Sequence, residues 1–191
     1  MKLYCWLILS FISLTSFAQK LPRVKFLTEI GSFVVEVDTV RAPVTSKHFL
    51  GLVESSTYNN SKIYRVVDDE NQPDSPVRIN VVQGGLYHDD LVGNVHSIPH
   101  EPTIETGIRH RNGVISMARN EPGTASSEFF ICIGNQPELD HGGRRNPDGQ
   151  GFAAFGKVVR GMKVLRGVYA LPDSLQYLIQ PVFITDVFQE R

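Results

Sequence analysis

Cysteine is scarce in this chain of 191 residues, with Cys5 and Cys132 the only two. A disulfide-stapled scaffold is therefore excluded, because such folds need several pairs. A basic excess is also missing: 19 Lys and Arg stand against 20 Asp and Glu, for a formal net charge of -1. Nucleic-acid binding and electrostatic docking on an anionic membrane both call for a clear positive surplus, so neither partner is expected. No apolar run reaches the roughly 20 residues that a membrane-spanning helix needs. Internal repeats, low-complexity tracts and a domain linker are absent as well. What remains, 41% hydrophobic and 20% charged, is the composition of a soluble globular protein with room for one ordinary domain and its core.

The longest apolar stretch lies at the start. Lys2 precedes Leu3 to Phe17, and Ser16-Phe17-Ala18 then sets small residues two apart. That is the pattern of an export signal cleaved after Ala18, too short to be an uncleaved anchor. Cys5 sits at the beginning of the apolar stretch, which argues against a lipid anchor there. The expected mature protein is one domain over residues 19–191, periplasmic or secreted, without stable membrane association. Cys132 is then left alone within Phe129-Phe130-Ile131-Cys132-Ile133, where a small buried strand residue is the plain reading.

The rest of the chain is rich in short strand signals. Val24 to Thr28 and Phe33 to Val37 flank Gly31-Ser32 as a hairpin would. Pro43 stands at a first helical position, and Thr45, Phe49, Leu52 and Val53 form a stripe at helical spacing that ends near Ser55-Ser56. Lys62 to Val67, Ile79 to Gln83 (closed by Gly84-Gly85), Gly113 to Ala118, Glu128 to Ile133, Phe152 to Val159 and Val182 to Phe188 read as strands. Gly161 to Gly167 reads as a short helix, and Leu86 to Arg111 as a long irregular stretch rich in His and Pro. Many strands with two helices and no βαβ alternation point to a closed or sandwiched antiparallel sheet.

Three places could carry chemistry. Arg65 lies among apolar neighbours in Ile63-Tyr64-Arg65-Val66-Val67; by strand pattern alone a structural ion pair explains it better than a site. Gln83, before two glycines, could orient a neighbour through its amide, though an ordinary edge polar residue would look the same. Phe129 and Phe130 must face opposite sides of a strand, so one ring leaves the core, and alternation does not say which. His88, Asp89, Asp90, His96, His100 and His110 also cluster as a candidate metal site. Its one regular spacing, His96 to His100, helps only on a helix, and Pro99 argues against one; these read as loop histidines, with His110 structural.

Taken in order, Ala42-Pro43…Phe49-Leu50, Ile63-Tyr64-Arg65-Val66-Val67, Val82-Gln83-Gly84-Gly85, Gly113 to Arg119, Ser127 to Ile131 and Phe155-Gly156-Lys157-Val158 resemble the cyclophilin family of peptidyl-prolyl isomerases, from about Val24 to Gln189. The resemblance implies an eight-stranded antiparallel closed β-barrel capped by two α-helices, with a shallow proline groove on its outer surface. It implies Arg65 as the catalytic arginine, with Gln83 beside it, which reverses the ion-pair preference. It implies Phe130 as the floor of the proline pocket and Leu139 as an apolar wall, with Val81, Asn80, Glu128, Arg119 and Phe152 completing the binding surface. The partners implied are X–Pro polypeptide clients met by a monomer, with no cofactor and no metal.

Several positions depart from the family pattern. Asn80 stands where an aromatic or large apolar residue is usual, and Glu128 where glutamine is. Arg119 replaces an asparagine and Phe152 a histidine. Glu138 takes the place of the tryptophan of cyclosporin-sensitive members, so weak cyclosporin A binding is expected. Loops 68–78 and 141–151 are longer than in compact members. The alternative on the same barrel is a proline-peptide adaptor or holdase with little turnover, and Asn80 is its main support.

Overall fold

The computed structural model describes residues 20–191; the expected signal and its cleavage after Ala18 lie outside the described residues. Among the described residues, nine strands form one antiparallel sheet: β1 (Arg23–Thr28), β2 (Gly31–Val37), β3 (Lys62–Val67), β4 (Val81–Gly85), β5 (Val114–Met117), β6 (Phe129–Cys132), β7 (Ala153–Arg160), β8 (Asp173–Ser174) and β9 (Tyr177–Gln189). Their order is β1-β2-β7-β5-β6-β4-β3-β9, and β9 pairs back onto β1, so eight strands close a barrel while β8 only folds over the start of β9. Closure leaves none of the eight with a free edge.

Period-two burial fills the barrel. Val24 and Phe26 on β1, and Phe33, Val35 and Val37 on β2, all point inward with no exposure. Phe26 stacks on Phe33 at 4.6 Å and tilts against Phe129 at 5.5 Å. Each such ring contributes about 1.5–3 kcal/mol by leaving water. Helix α1 (Pro43–Glu54) starts on Pro43 and buries Phe49, Leu52 and Val53, with Phe49 meeting Phe155 at 4.8 Å. The shorter helices α2 (Asp89–Gly93) and α3 (Thr103–Thr106) interrupt the stretch expected to be irregular. Helix α4 (Met162–Tyr169) buries Leu165 and Val168 in the same core.

Helices α2 and α3 make four α-helices among the described residues where two were expected, and two further expectations shift. The fourth strand was expected at Ile79 to Gln83, with Gly84-Gly85 as its stop; the ladder instead runs through both glycines. They serve close approach. A Cβ on Gly84 would sit 2.9 Å from the Lys62 carbonyl oxygen, and one on Gly85 (φ +149°) would run into the Glu128 carboxylate. The second shift concerns the β8–β9 hairpin, which has no counterpart in the sequence reading. Its loop is Leu175-Gln176, both at positive φ (53° and 75°), the geometry of a type I′ turn usually signalled by Asn-Gly.

Candidate active site on the outer face of the barrel

Register builds the site. Arg65 pairs with Tyr177 on one side and Gln83 on the other; Gln83 pairs with Phe130, and Phe130 with Ser116. Paired residues on adjacent strands share a face, so Arg65, Gln83 and Phe130 form one row across β3, β4 and β6. Strands lie about 4.8 Å apart, which puts Arg65 and Phe130 roughly 10 Å apart at the backbone, within reach of an arginine side chain. Phe129 takes the inward place, against Phe26 and Tyr58.

On the outer face Phe130 belongs to a second apolar cluster with Val67, Ile79, Val81, Cys132 and Leu139, and Ala118 and Phe152 pack against it. This cluster floors a groove of about 340 Å³ whose rim carries Arg65, Gln83, Glu128 and Arg119. Phe152 meets Phe130 edge-on at 5.2 Å. Leu139 is fully buried on the turn Pro137–Leu139. Behind the floor the His110 ring lies nearly parallel to Phe130 at 5.9 Å. Its Nδ1 is 2.9 Å from Asp140 Oδ1 and its Nε2 is 3.1 Å from Ser116 Oγ, while burial lowers its pKa and favours the neutral ring. Both ring nitrogens are thereby occupied, and His100 turns Nε2 to the Gln150 carbonyl. Burial also pushes the Cys132 thiol up, away from reactivity.

Arg65 has no carboxylate partner among the described residues. Its Nη1 donates to Gln83 Oε1 at 2.8 Å, and its Nε donates to Gln176 Oε1 at 3.1 Å, with Nη2 bonded to the same oxygen. One N–H on each terminal nitrogen is left for the groove. The orientation of Gln83 is set from further along the rim. Its Nε2 donates to the Tyr64 hydroxyl at 2.8 Å, and Tyr64 in turn donates to Glu128. Glu128 also accepts from the Leu86 N–H at 2.7 Å and from Ser127 Oγ–H at 3.3 Å. Burial raises the pKa of Glu128 and, most of all through burial, that of Tyr64. With Glu128 ionised the donors run in a single direction, and Gln83 must turn its oxygen toward Arg65.

A family model for cyclophilin type peptidyl-prolyl cis-trans isomerases (Cyclophilin type peptidyl-prolyl cis-trans isomerase/CLD) matches residues 23–187. The chain belongs to this family. Among its relatives is peptidyl-prolyl cis-trans isomerase A of Dickeya dadantii, 34% identical over 163 residues that span 82% of this chain and 78% of that one. A peptidyl-prolyl cis-trans isomerase of Streptomyces antibioticus is 30% identical over 149 residues, 78% of this chain and 83% of the relative. In fold the chain is similar to a cyclophilin of Cryptosporidium parvum, at a TM-score of 0.71 and 22% identity, covering 90% of this chain and 98% of that one. This cyclophilin is accordingly an enzyme that accelerates rotation about X–Pro bonds.

Not every expected residue reaches the cyclophilin groove. Val81, Phe130, Leu139, Phe152, Glu128, Arg65, Gln83 and Arg119 line it; Asn80 does not. Strand alternation turns the Asn80 side chain away, where it accepts from the Tyr169 hydroxyl at 2.8 Å and lies 3.4 Å from Asp69, and Ile79 and Val81 take the groove side. Arg119 reaches the rim but is spent. Its guanidinium binds both Asp148 oxygens at 2.8 and 2.9 Å and the Gly151 carbonyl at 2.8 Å, and covers the Phe152 ring at 5.1 Å. This pairing lowers the Asp148 pKa to about 2. Glu138 faces Arg144 instead of the groove, with Arg144 Nη2 donating at 3.0 Å. Sequence reasoning missed Gln176, Tyr64 and Arg145. An aromatic beside Arg65 was visible for Tyr64, but nothing in the local pattern marked the other two.

Proposed function

We propose that Arg65 is the group that lowers the rotation barrier, acting on a proline ring seated against Phe130. Resonance holds the X–Pro bond planar and gives the barrier its height, about 18–20 kcal/mol. At the twisted geometry resonance is lost, and the proline nitrogen gains a localised lone pair. A guanidinium donor aimed at that nitrogen is bound most strongly there, so it stabilises the transition state more than either planar isomer. The observation that carries this reading is the row Arg65–Gln83–Phe130, with Arg65 ordered by neutral amides and keeping N–H groups free. Phe130, Leu139, Val81 and Phe152 offer an apolar seat of the right kind for a pyrrolidine ring. A Cryptosporidium parvum cyclophilin of the same fold was studied in the presence of the dipeptide Ala-Pro, which fits a proline-containing ligand here.

The clients we propose are exported polypeptides, met by a monomer. Lys2, the apolar run to Phe17 and Ser16-Phe17-Ala18 support that placement. The holdase alternative leaned on Asn80 spoiling the pocket, and Asn80 lies outside it. The test is exchange of an Ala-Pro peptide followed by NMR with the mature chain. Removing one preorganised donor costs on the order of 10²–10³ in rate, so Arg65→Ala is expected to lose activity on that scale while still binding peptide. Undiminished exchange in Arg65→Ala would remove the agent of the mechanism.

A further inference from the structure

Loop 141–151 carries a second unneutralised guanidinium into the groove. Arg145 lines the same groove as Arg65 and Phe130. Its Nη1 lies 2.8 Å from Gln72 Oε1, 2.8 Å from Ser75 Oγ and 2.7 Å from the Val77 carbonyl oxygen, all neutral acceptors on loop 68–78. Gln72 is itself buried and donates to the Ile79 carbonyl at 2.8 Å, so the acceptors are anchored to the base of β4. Nε and Nη2 of Arg145 have no protein partner among the described residues. Loops 68–78 and 141–151 are therefore stitched together by one arginine, with three of its five N–H donors left over.

Charge within the groove lining does not balance, and Asp68, Asp69, Glu70 and Asp74 of loop 68–78 stand outside that lining. The lining holds three arginines and one carboxylate. Asp148 neutralises Arg119, and Glu128 spends its oxygens on Tyr64, Leu86 and Ser127. Among the described residues, Arg65 and Arg145 are left lining the cavity without a counter-ion, near enough that Arg65, after burial, adds to the lowering of the Arg145 pKa. Two like charges held together by neutral acceptors are relieved by an arriving anion.

We infer that Arg145 is a specificity residue that selects client segments carrying a carboxylate next to the proline. This rests on the isomerase site proposed above. The carboxylate could belong to an acidic residue before the proline or after it, and peptides separate the two sources. Exchange kinetics would be measured by NMR on Gln-Pro and Glu-Pro peptides, and on Pro-Gln and Pro-Glu peptides, at low and high salt. Wild type is expected to favour the acidic member of one pair by about fivefold in kcat/KM at low salt, the scale of one partly exposed ion pair. Salt should erode that preference. Arg145→Gln should bring the ratio to about one, and Arg145→Lys, which keeps the charge, should retain most of it. Equal rates for both members of both pairs in wild type, or a preference that survives in a folded Arg145→Gln, would overturn the inference while leaving the isomerase intact. Failure of every peptide to be turned over would instead strike the reading of the site itself.

Discussion

Gln176 offers a perturbation in which stability and activity should part company. Its Oε1 holds two nitrogens of Arg65, its Nε2 donates to the Asn71 carbonyl at 3.1 Å, and its backbone sits at φ 75° in the turn after Leu175. A non-glycine residue in that region costs about 1–2 kcal/mol. Gln176→Gly relieves the strain and deletes side-chain hydrogen bonds worth about 1 kcal/mol each. Three such bonds outweigh the relieved strain, so the variant should be destabilised by about 1–2 kcal/mol. Gln176→Ala keeps the strain and loses the bonds, and should be destabilised by about 3 kcal/mol. Activity should follow a different order. Both variants release one of the two anchors of Arg65, whose rotamer freedom amounts to about 2 kcal/mol; with Gln83 still in place, roughly half of that returns. One kcal/mol on the barrier is about fivefold in kcat, and both variants should lose about that much. Thermal melting and NMR exchange kinetics on an Ala-Pro peptide measure the two quantities separately. The reasoning fails if Gln176→Gly retains wild-type kcat, or if activity follows melting temperature across the pair.

Other outcomes follow from the same contacts. The Glu128 carboxyl holds its proton to higher pH than the ordinary value of 4.5 because it is buried. In the window just above that value the folded state therefore binds more protons than the unfolded chain, and stability should fall as pH rises through it. Activity should rise over the same window, because only the ionised carboxylate directs the Tyr64–Gln83–Arg65 chain; Glu128→Gln should abolish that acidic limb in a pH–rate profile. Gly85→Ala should destabilise by about 1–3 kcal/mol in denaturant melts, since φ +149° suits glycine and the added Cβ would meet Glu128, which backbone donors hold in place. Cyclosporin A should bind poorly: Glu138, engaged with Arg144, offers no apolar surface at the indole position, and submicromolar inhibition would contradict this.

Most of the barrel could be read from the chain because its strands alternate cleanly and its turns carry glycine or proline. The elements that escaped did so for local reasons. Gly84-Gly85 looks like punctuation, yet both glycines stay in the ladder where the neighbouring Lys62 carbonyl and Glu128 leave no room for a side chain. The β8–β9 hairpin turns on Leu175-Gln176, a pair without intrinsic preference for positive φ, so nothing in composition announces it. The helices α2 and α3, of five and four residues, are too short for hydrophobic periodicity to show.

The candidate site divides along the same line. Strand positions in the motif segments, Arg65, Gln83 and Phe130, were legible, and one register pairing resolves what alternation left open, since Gln83 opposite Phe130 sends Phe129 inward. Asn80 is read into the binding surface from its family position three residues before Gln83, whereas the pleat turns its side chain to Tyr169 and leaves the groove side to Ile79 and Val81. What could not be read is how Arg65 is ordered. A carboxylate would order it more cheaply than strained Gln176, but would also bind the N–H groups the mechanism needs and cancel the charge that should respond to a developing lone pair. Neutral amides fix direction and leave the charge exposed. That requirement gives a physical reason for keeping a polar, non-glycine residue at φ 75° beside the active row, and it is met by a contact 111 residues away in sequence, which no local pattern can reveal.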